Sequence, residues 1–256
     1  MDQSLIKKQV REYWDENVHN WKVAKFNAGD KRFFEEIERY RFEKLSYLTS
    51  VVDFNGYSGK KLLDVGCGLG NDLSRFVRGG AEGVGIDISA VAVNLARKNF
   101  KYRNLSASFI EMDAENMAFS DNSFDIVYCH TVIHFTPDPQ FLINEVHRVL
   151  KPGGLAILMT VNRNSWLYFL HRLTKLKIDY MDAPVFNKYS IDEFKSMLSP
   201  FDNVQLKTER FPVKTEVHKG IKAMIYNVYF VALFNALPKL LTRNTGYHLL
   251  AFAYKK

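Results

Sequence analysis

Apolar and polar residues follow two rhythms along this chain. Near the start, Leu5, Ile6, Val10, Tyr13 and Trp14 recur at helical spacing. A second helix is predicted over about residues 30–50, with Phe34, Ile37, Arg41, Leu45 and Leu48 on one stripe and Asp30 as its N-cap. From about residue 60 short apolar runs take over. Residues 62–65, 83–88, 107–111, 124–129 and 155–161 read as strands, and Leu150-Lys-Pro-Gly-Gly154 as the turn before the fifth. A sixth strand is predicted over about 204–211 and a last one over 246–254.

The first strand runs into the densest local signal, Leu62-Leu-Asp-Val-Gly-Cys-Gly-Leu-Gly-Asn-Asp72. Glycines at 66, 68 and 70 let a strand-to-helix turn approach a ligand closely. Such a turn at the carboxyl end of a parallel sheet suits a nucleotide-like molecule. A dinucleotide fold needs G-x-G-x-x-G with the pyrophosphate on the helix N-terminus. Here the spacing is G-x-G-x-G, and Asp64 would repel a pyrophosphate while suiting an ammonium group. The second strand ends in Asp87, where an acid can accept hydrogen bonds from ribose hydroxyls. The third leads into Met112-Asp-Ala-Glu115, and the fourth into Cys129-His-Thr-Val-Ile-His134.

In this order the motifs resemble the class I S-adenosylmethionine-dependent methyltransferases, most closely the subgroup that includes ubiquinone and menaquinone biosynthesis methyltransferases. The resemblance covers about residues 60–162. It implies an α/β, Rossmann-like seven-stranded sheet of order 3-2-1-4-5-7-6 with the last strand antiparallel, a helical N-terminal extension and lid insertions. The whole chain would be one methyltransferase domain, with a cap over 1–58, a cofactor core over 59–162 and substrate-covering insertions over 163–189 and 212–245. S-adenosylmethionine is the implied cofactor. The resemblance has Asp64 and the loop of Gly66, Cys67, Gly68, Gly70 and Asp72 hold its methionine part, and Asp87 its ribose. Asp113 and Ala114 would meet the adenine edge, Ile88 would pack on the base, and Cys129 and His130 would face the sulfonium. Each residue alone also has a plain structural reading: Asp113 as a cap, Asp87 as a turn residue before Ser89, Cys67 as packing.

Composition narrows the setting. The net charge of +7 comes from outside the core, which is acidic, and chiefly from the C-terminal third. That bias suits an anionic substrate, an anionic membrane surface or nucleic acid, and equally a plain basic surface. The two cysteines, Cys67 and Cys129, read as packing residues, not a disulfide. No apolar core for a signal peptide follows Met1, so the expected location is cytoplasmic, with peripheral membrane contact open. No His/Cys grouping has a convincing metal-ligand spacing.

Three segments outside the core are expected to build the acceptor site. The first is N-terminal, with Tyr13 as the candidate contact and Trp21 and Phe26 between the two helices. The second, about 162–188, carries Trp166; the third, about 219–241, carries Tyr229. Within the third, residues 221–237 are almost wholly apolar. We read them first as a buried lid helix lining the substrate cavity, with an interfacial helix flanked by Lys219, Lys222, Lys239 and Arg243, or a dimer contact, as alternatives. His134 and His130 are the candidate bases for an acceptor hydroxyl or acidic carbon, because the resemblance places them near the methyl group. His218 and His248 have weaker claims. The expected reaction is methyl transfer to oxygen or carbon of a small, lipophilic or aromatic acceptor. A nucleic-acid methyltransferase, an NAD-dependent oxidoreductase and a cofactor-binding protein without catalysis are the rivals. No RNA-binding module is recognisable, and no Asn/Asp-Pro-Pro-Tyr motif supports methylation of adenine or glutamine.

Overall fold

The computed structural model describes residues 3–18, 24–175, 177–213 and 224–256. Seven strands, β1 (Lys61–Val65), β2 (Glu82–Asp87), β3 (Ser108–Glu111), β4 (Phe124–His130), β5 (Leu150–Val161), β6 (Val204–Glu209) and β7 (His248–Tyr254), form one sheet in the order 3-2-1-4-5-7-6. β1 to β5 pair in parallel, and β7 runs antiparallel to both β5 and β6. All the loops that leave β1, β2, β3 and β4 therefore gather at one edge of the sheet, the place where open α/β sheets bind ligands.

Helices cover both faces. They are α1 (Gln3–Glu16), α2 (Lys31–Lys44), α3 (Leu48–Val51), α4 (Asn71–Arg78), α5 (Ala90–Arg103), α6 (Pro139–Val149), α7 (Trp166–Thr174) and α8 (Ile191–Met197). One face packs Leu63, Val65, Val127, Cys129 and Leu158 against Leu142, Ile143 and Val146 of α6 and Phe194 of α8. The other packs Leu62, Tyr128, Ile157 and Leu250 against Leu73 and Phe76 of α4, Val93 and Phe100 of α5, and Leu45 and Leu48. Strands buried on both faces explain the unbroken apolar runs. A smaller cluster of Val18, Phe33, Phe34, Ile37, Leu69 and Leu95 seats α2 on α5.

The structure corrects four sequence expectations. The second predicted helix is two, because the backbone leaves helical geometry at Leu45 (φ −117°, ψ 46°) before α3 begins. Asp30 stands at the N-cap, but its side chain makes no capping bond; only its carbonyl accepts, from the Phe34 amide. The Lys-Pro-Gly-Gly turn lies inside β5: Leu150 pairs with Phe124 and Leu155 with Ile126, so residues 151–154 are extruded as a bulge. Finally, the apolar segment is no buried lid. Residues 221–223 lie outside the described residues, as do Trp21, His218, Lys219 and Lys222. In a π-turn (Tyr226–Phe230) and α9 (Val231–Ala236) only Val231 is buried, while Met224, Ile225, Val228, Tyr229, Leu233 and Leu237 are exposed.

Candidate active site

The loop from β1 to α4 needs its glycines for backbone reasons. Gly66, Gly68 and Gly70 all have positive φ (68°, 52° and 70°), a region that side chains make costly. A Cβ on Gly66 would also stand 2.2 Å from Val132 Cγ2. The loop is pinned to the next strand, since the Gly66 and Cys67 amides both donate to the Ile86 carbonyl. The Gly68 amide donates to Asp87 Oδ2 and the Ser89 amide to Asp87 Oδ1, each at 2.9 Å. Burial pushes the Asp87 carboxyl above its usual range, against the pull of these amides.

Beyond the loop opens a cleft. Gly66, Gly68, Asp87, Ile88, Met112, Asp113 and Ala114 line it from the sheet edge, and Thr131, Val132, Phe135 and Thr136 from the end of β4. Lys7, Val10 and Trp14 of α1 form the opposite wall. Thr131 holds φ 67°, an unusual conformation for a β-branched residue and a common one at ligand sites. Two contacts fasten α1 across the cleft. Lys7 Nζ lies 2.6 Å from Asp113 Oδ2 and 2.7 Å from Glu115 Oε2, and Ser89 Oγ donates to Asp15 Oδ1 at 2.6 Å. Asp113 also accepts from the Glu115 amide, and Cys67 packs on Gly85. Asp87 and Asp113 thus fill their plain structural roles while also lining the cleft.

Beside the loop, α2 brings a cation to two buried carboxylates. Arg41 Nε donates to Asp72 Oδ1 at 2.6 Å, Arg41 Nη2 to Asp72 Oδ2, and Tyr128 OH to the same Oδ2 at 2.8 Å. Burial alone would raise Asp72, but Arg41 holds it down to about 2. Both Asp72 oxygens are therefore engaged within the protein. Asp64 differs: burial, with Asp72 nearby, pushes its carboxyl well up, and its Oδ2 is buried without a hydrogen-bond partner.

His130 joins a hydrogen-bond row. Its Nδ1 lies 3.2 Å from Arg41 Nη2 and its Nε2 3.0 Å from Tyr47 OH, which in turn lies 2.6 Å from His248 Nδ1. Arg210 Nη1 closes the row 3.3 Å from His248 Nε2. His134, in the turn Ile133–Phe135, is buried against Phe135 and Phe186, and its Nδ1 has no partner. Burial lowers its imidazole to about 3, so it is neutral at working pH.

Of the residues singled out from sequence, Gly66, Gly68, Asp87, Ile88, Asp113 and Ala114 line the cleft, and Asp64, Cys67, Gly70, Asp72, Cys129 and His130 lie around it. Tyr13 donates to Asp182 Oδ1 at 3.1 Å, outside the lining. Trp166 turns away from the cleft; its Nε1 donates to the Arg210 carbonyl at 2.8 Å and its ring meets Tyr226 and Phe230. Tyr229 is 67% exposed and the structure does not bring it to the cleft. Sequence reasoning missed Lys7, Asp15, Tyr47 and the pairing of Arg41. Only Arg41 left a signal, a charge on an otherwise apolar helical stripe.

Comparison with known proteins places this geometry among relatives. A family model described as a methyltransferase domain matches residues 63–158. A ubiquinone biosynthesis O-methyltransferase of Alkalilimnicola ehrlichii is 33% identical over 159 residues, 59% of this chain and 64% of that protein. One from Pseudomonas aeruginosa (strain LESB58) is 31% identical over 156 residues, 59% of this chain and 67% of its own length. The first of these relatives is thus spanned over a little less than two thirds of its length. The crystal structure of a SAM-dependent methyltransferase from Thermotoga maritima superposes with a TM-score of 0.62 at 17% identity, covering 96% of this chain and 100% of that one. That likeness speaks for the fold.

Proposed function

The chain belongs to the class I S-adenosylmethionine-dependent methyltransferases, and from that premise we propose that it transfers a methyl group to an oxygen of a small, lipophilic or aromatic acceptor. The observation that supports this most is the glycine cradle with the unpartnered Asp64 oxygen beside it. A buried orphan acceptor next to a cradle fits a ligand that carries an ammonium group, as the methionine part of the cofactor does. Asp87 would take the ribose, with Ile88, Asp113 and Ala114 around the base; the lining supports all four. The O-methyltransferase relatives support oxygen over carbon.

When bound, S-adenosylmethionine supplies a methyl group activated by its sulfonium. The residues of this chain would orient and dehydrate the acceptor. Trp14, Phe135, Phe186 and His134 pack ring against ring beside the cleft, an apolar wall that excludes water and favours a cationic donor. His134, neutral and with a free ring nitrogen, is the residue we assign to contact the acceptor hydroxyl. His130, engaged on both ring nitrogens, acts through its partners. Titration calorimetry with S-adenosylhomocysteine and, separately, NAD tests the premise. Saturable binding of the first alone is expected, and binding of NAD alone would overturn it. Isotope-labelled methyl incorporation into candidate phenols then identifies the acceptor.

A second reading concerns location. Leu233, Leu237, Leu240 and Leu241 are exposed in a segment that also carries Lys239 and Arg243, a pattern that supports docking on an anionic membrane surface. Among the described residues no helix is long and apolar enough to cross a membrane. Flotation with phosphatidylglycerol vesicles, but not with phosphatidylcholine vesicles, is the expected outcome.

A further inference from the structure

The hydrogen-bond row Arg41–His130–Tyr47–His248–Arg210 has a surplus of donors. Its two ends are guanidinium groups, which only donate. Between them neutral His130 and His248 each offer one hydrogen and one lone pair along the row, and the Tyr47 hydroxyl one hydrogen and two lone pairs. Five hydrogens therefore face four contacts. Either one contact brings two hydrogens together, or Tyr47 accepts from both imidazoles, as the inner contacts of 3.0 and 2.6 Å allow, and its own hydrogen is left outside the row. The row lacks an acceptor.

Charge locates where that acceptor belongs. Arg41 is balanced by Asp72. Arg210 has no carboxylate within ion-pair distance among the described residues. The nearby acid is Glu209, opposite His248 in the strand register, and burial pushes its carboxyl up toward the neutral form. His248 is kept neutral by burial, with Arg210, His130, His134 and Arg41 adding to the effect. Burial likewise keeps the Tyr47 phenol protonated, against Arg210 and Arg41. The backbone of Arg210 sits at φ 59°, its carbonyl held by Trp166 and its guanidinium 4.9 Å from the Tyr247 ring centroid. Such a conformation persists where its surroundings fix it.

We propose that Arg210, with His248 and Tyr47, forms a subsite for an anionic oxygen of the acceptor, a carboxylate or an ionised hydroxyl; this rests on the methyl-transfer reading above. The anion takes the surplus hydrogen and neutralises the one unbalanced guanidinium of the row. The acceptor is then anchored at the β6–β7 end of the sheet while its nucleophile reaches toward the cleft at the end of β4.

The test uses protein carrying ¹⁵N-labelled histidine and saturated with S-adenosylhomocysteine, titrated with benzoate and with its neutral analogue benzamide. Benzoate is expected to shift the His248 ring nitrogens saturably and to bind at least tenfold more tightly than benzamide. Arg210→Gln should erase that preference and Arg210→Lys retain part of it. Equal binding of the two probes, or a preference that survives Arg210→Gln, overturns the proposal. If Arg210→Gln does not fold, Tyr47→Phe decides, because it removes a donor without changing charge; undiminished benzoate affinity there overturns it equally. Failure to bind S-adenosylhomocysteine would instead count against methyl transfer, and the same titration on cofactor-free protein would still judge the anion site.

Discussion

Burying His134 as a neutral imidazole has a thermodynamic consequence that can be measured without a substrate. Its folded value of about 3 lies below the ordinary 6.5. Between these values the unfolded chain binds a proton that the folded chain refuses, so acidification favours unfolding. The contribution is absent well above pH 6.5 and grows by about 1.4 kcal/mol for each pH unit below it. From pH 8 to pH 5 the loss attributable to His134 is about 2 kcal/mol. Urea unfolding of the parent and of His134→Gln at both pH values isolates it. The variant is less stable at pH 8 for reasons of packing, but its further loss at pH 5 should be smaller than the parent's by about 2 kcal/mol. Equal losses would refute a neutral, buried His134. His248, also lowered well below the usual value, acts in the same direction and is unchanged in the comparison.

Three further outcomes are expected. Arg41→Met leaves the buried Asp72 carboxylate without its cation and should cost about 3–5 kcal/mol in unfolding free energy; a loss under 1 kcal/mol would mean that Asp72 simply takes up a proton. Gly66→Ala combines positive φ with a contact at 2.2 Å, whereas Gly153→Ala combines positive φ (75°) with open space. S-adenosylhomocysteine affinity, read by calorimetry, should fall in the first variant and hold in the second. Lys7→Met removes one fastening of α1, so stopped-flow release of S-adenosylhomocysteine should accelerate severalfold, and an unchanged rate would leave Lys7 a surface residue.

The sheet was legible because strands buried on both faces must be apolar throughout, and the first three runs led into a glycine or an acid at the ligand edge. The placing of the proposed cofactor residues was legible for the same reason: Asp64, Gly66, Asp87 and Asp113 stand at strand ends, where spacing along the chain maps directly onto place in the fold. The proposed acceptor side was not. Tyr47, His130 and His248 come from separate elements, and no local period links them. Lys7 looks like any lysine on a surface helix until α1 is docked. The apolar residues of 224–241 illustrate the opposite failure. Apolar character announces that a segment seeks cover, but is silent about whether the cover comes from its own fold. Arg41 was within reach, since a charge on the Phe34–Ile37–Leu45 stripe calls for a buried partner.

The place of β7 also sets an order of assembly. It lies between β5 and β6, and β6 has no other strand beside it. β6 cannot join the sheet until His248–Tyr254 has slid into that gap, a pairing between strands far apart in the chain and so a slow step. His248, the first residue of the inserted strand, then supplies the imidazole that completes the row with Tyr47 and Arg210. A newly made molecule would thus own a finished glycine cradle while still lacking half of the proposed acceptor subsite. Folding would present the two ligands' sites to the solvent one after the other.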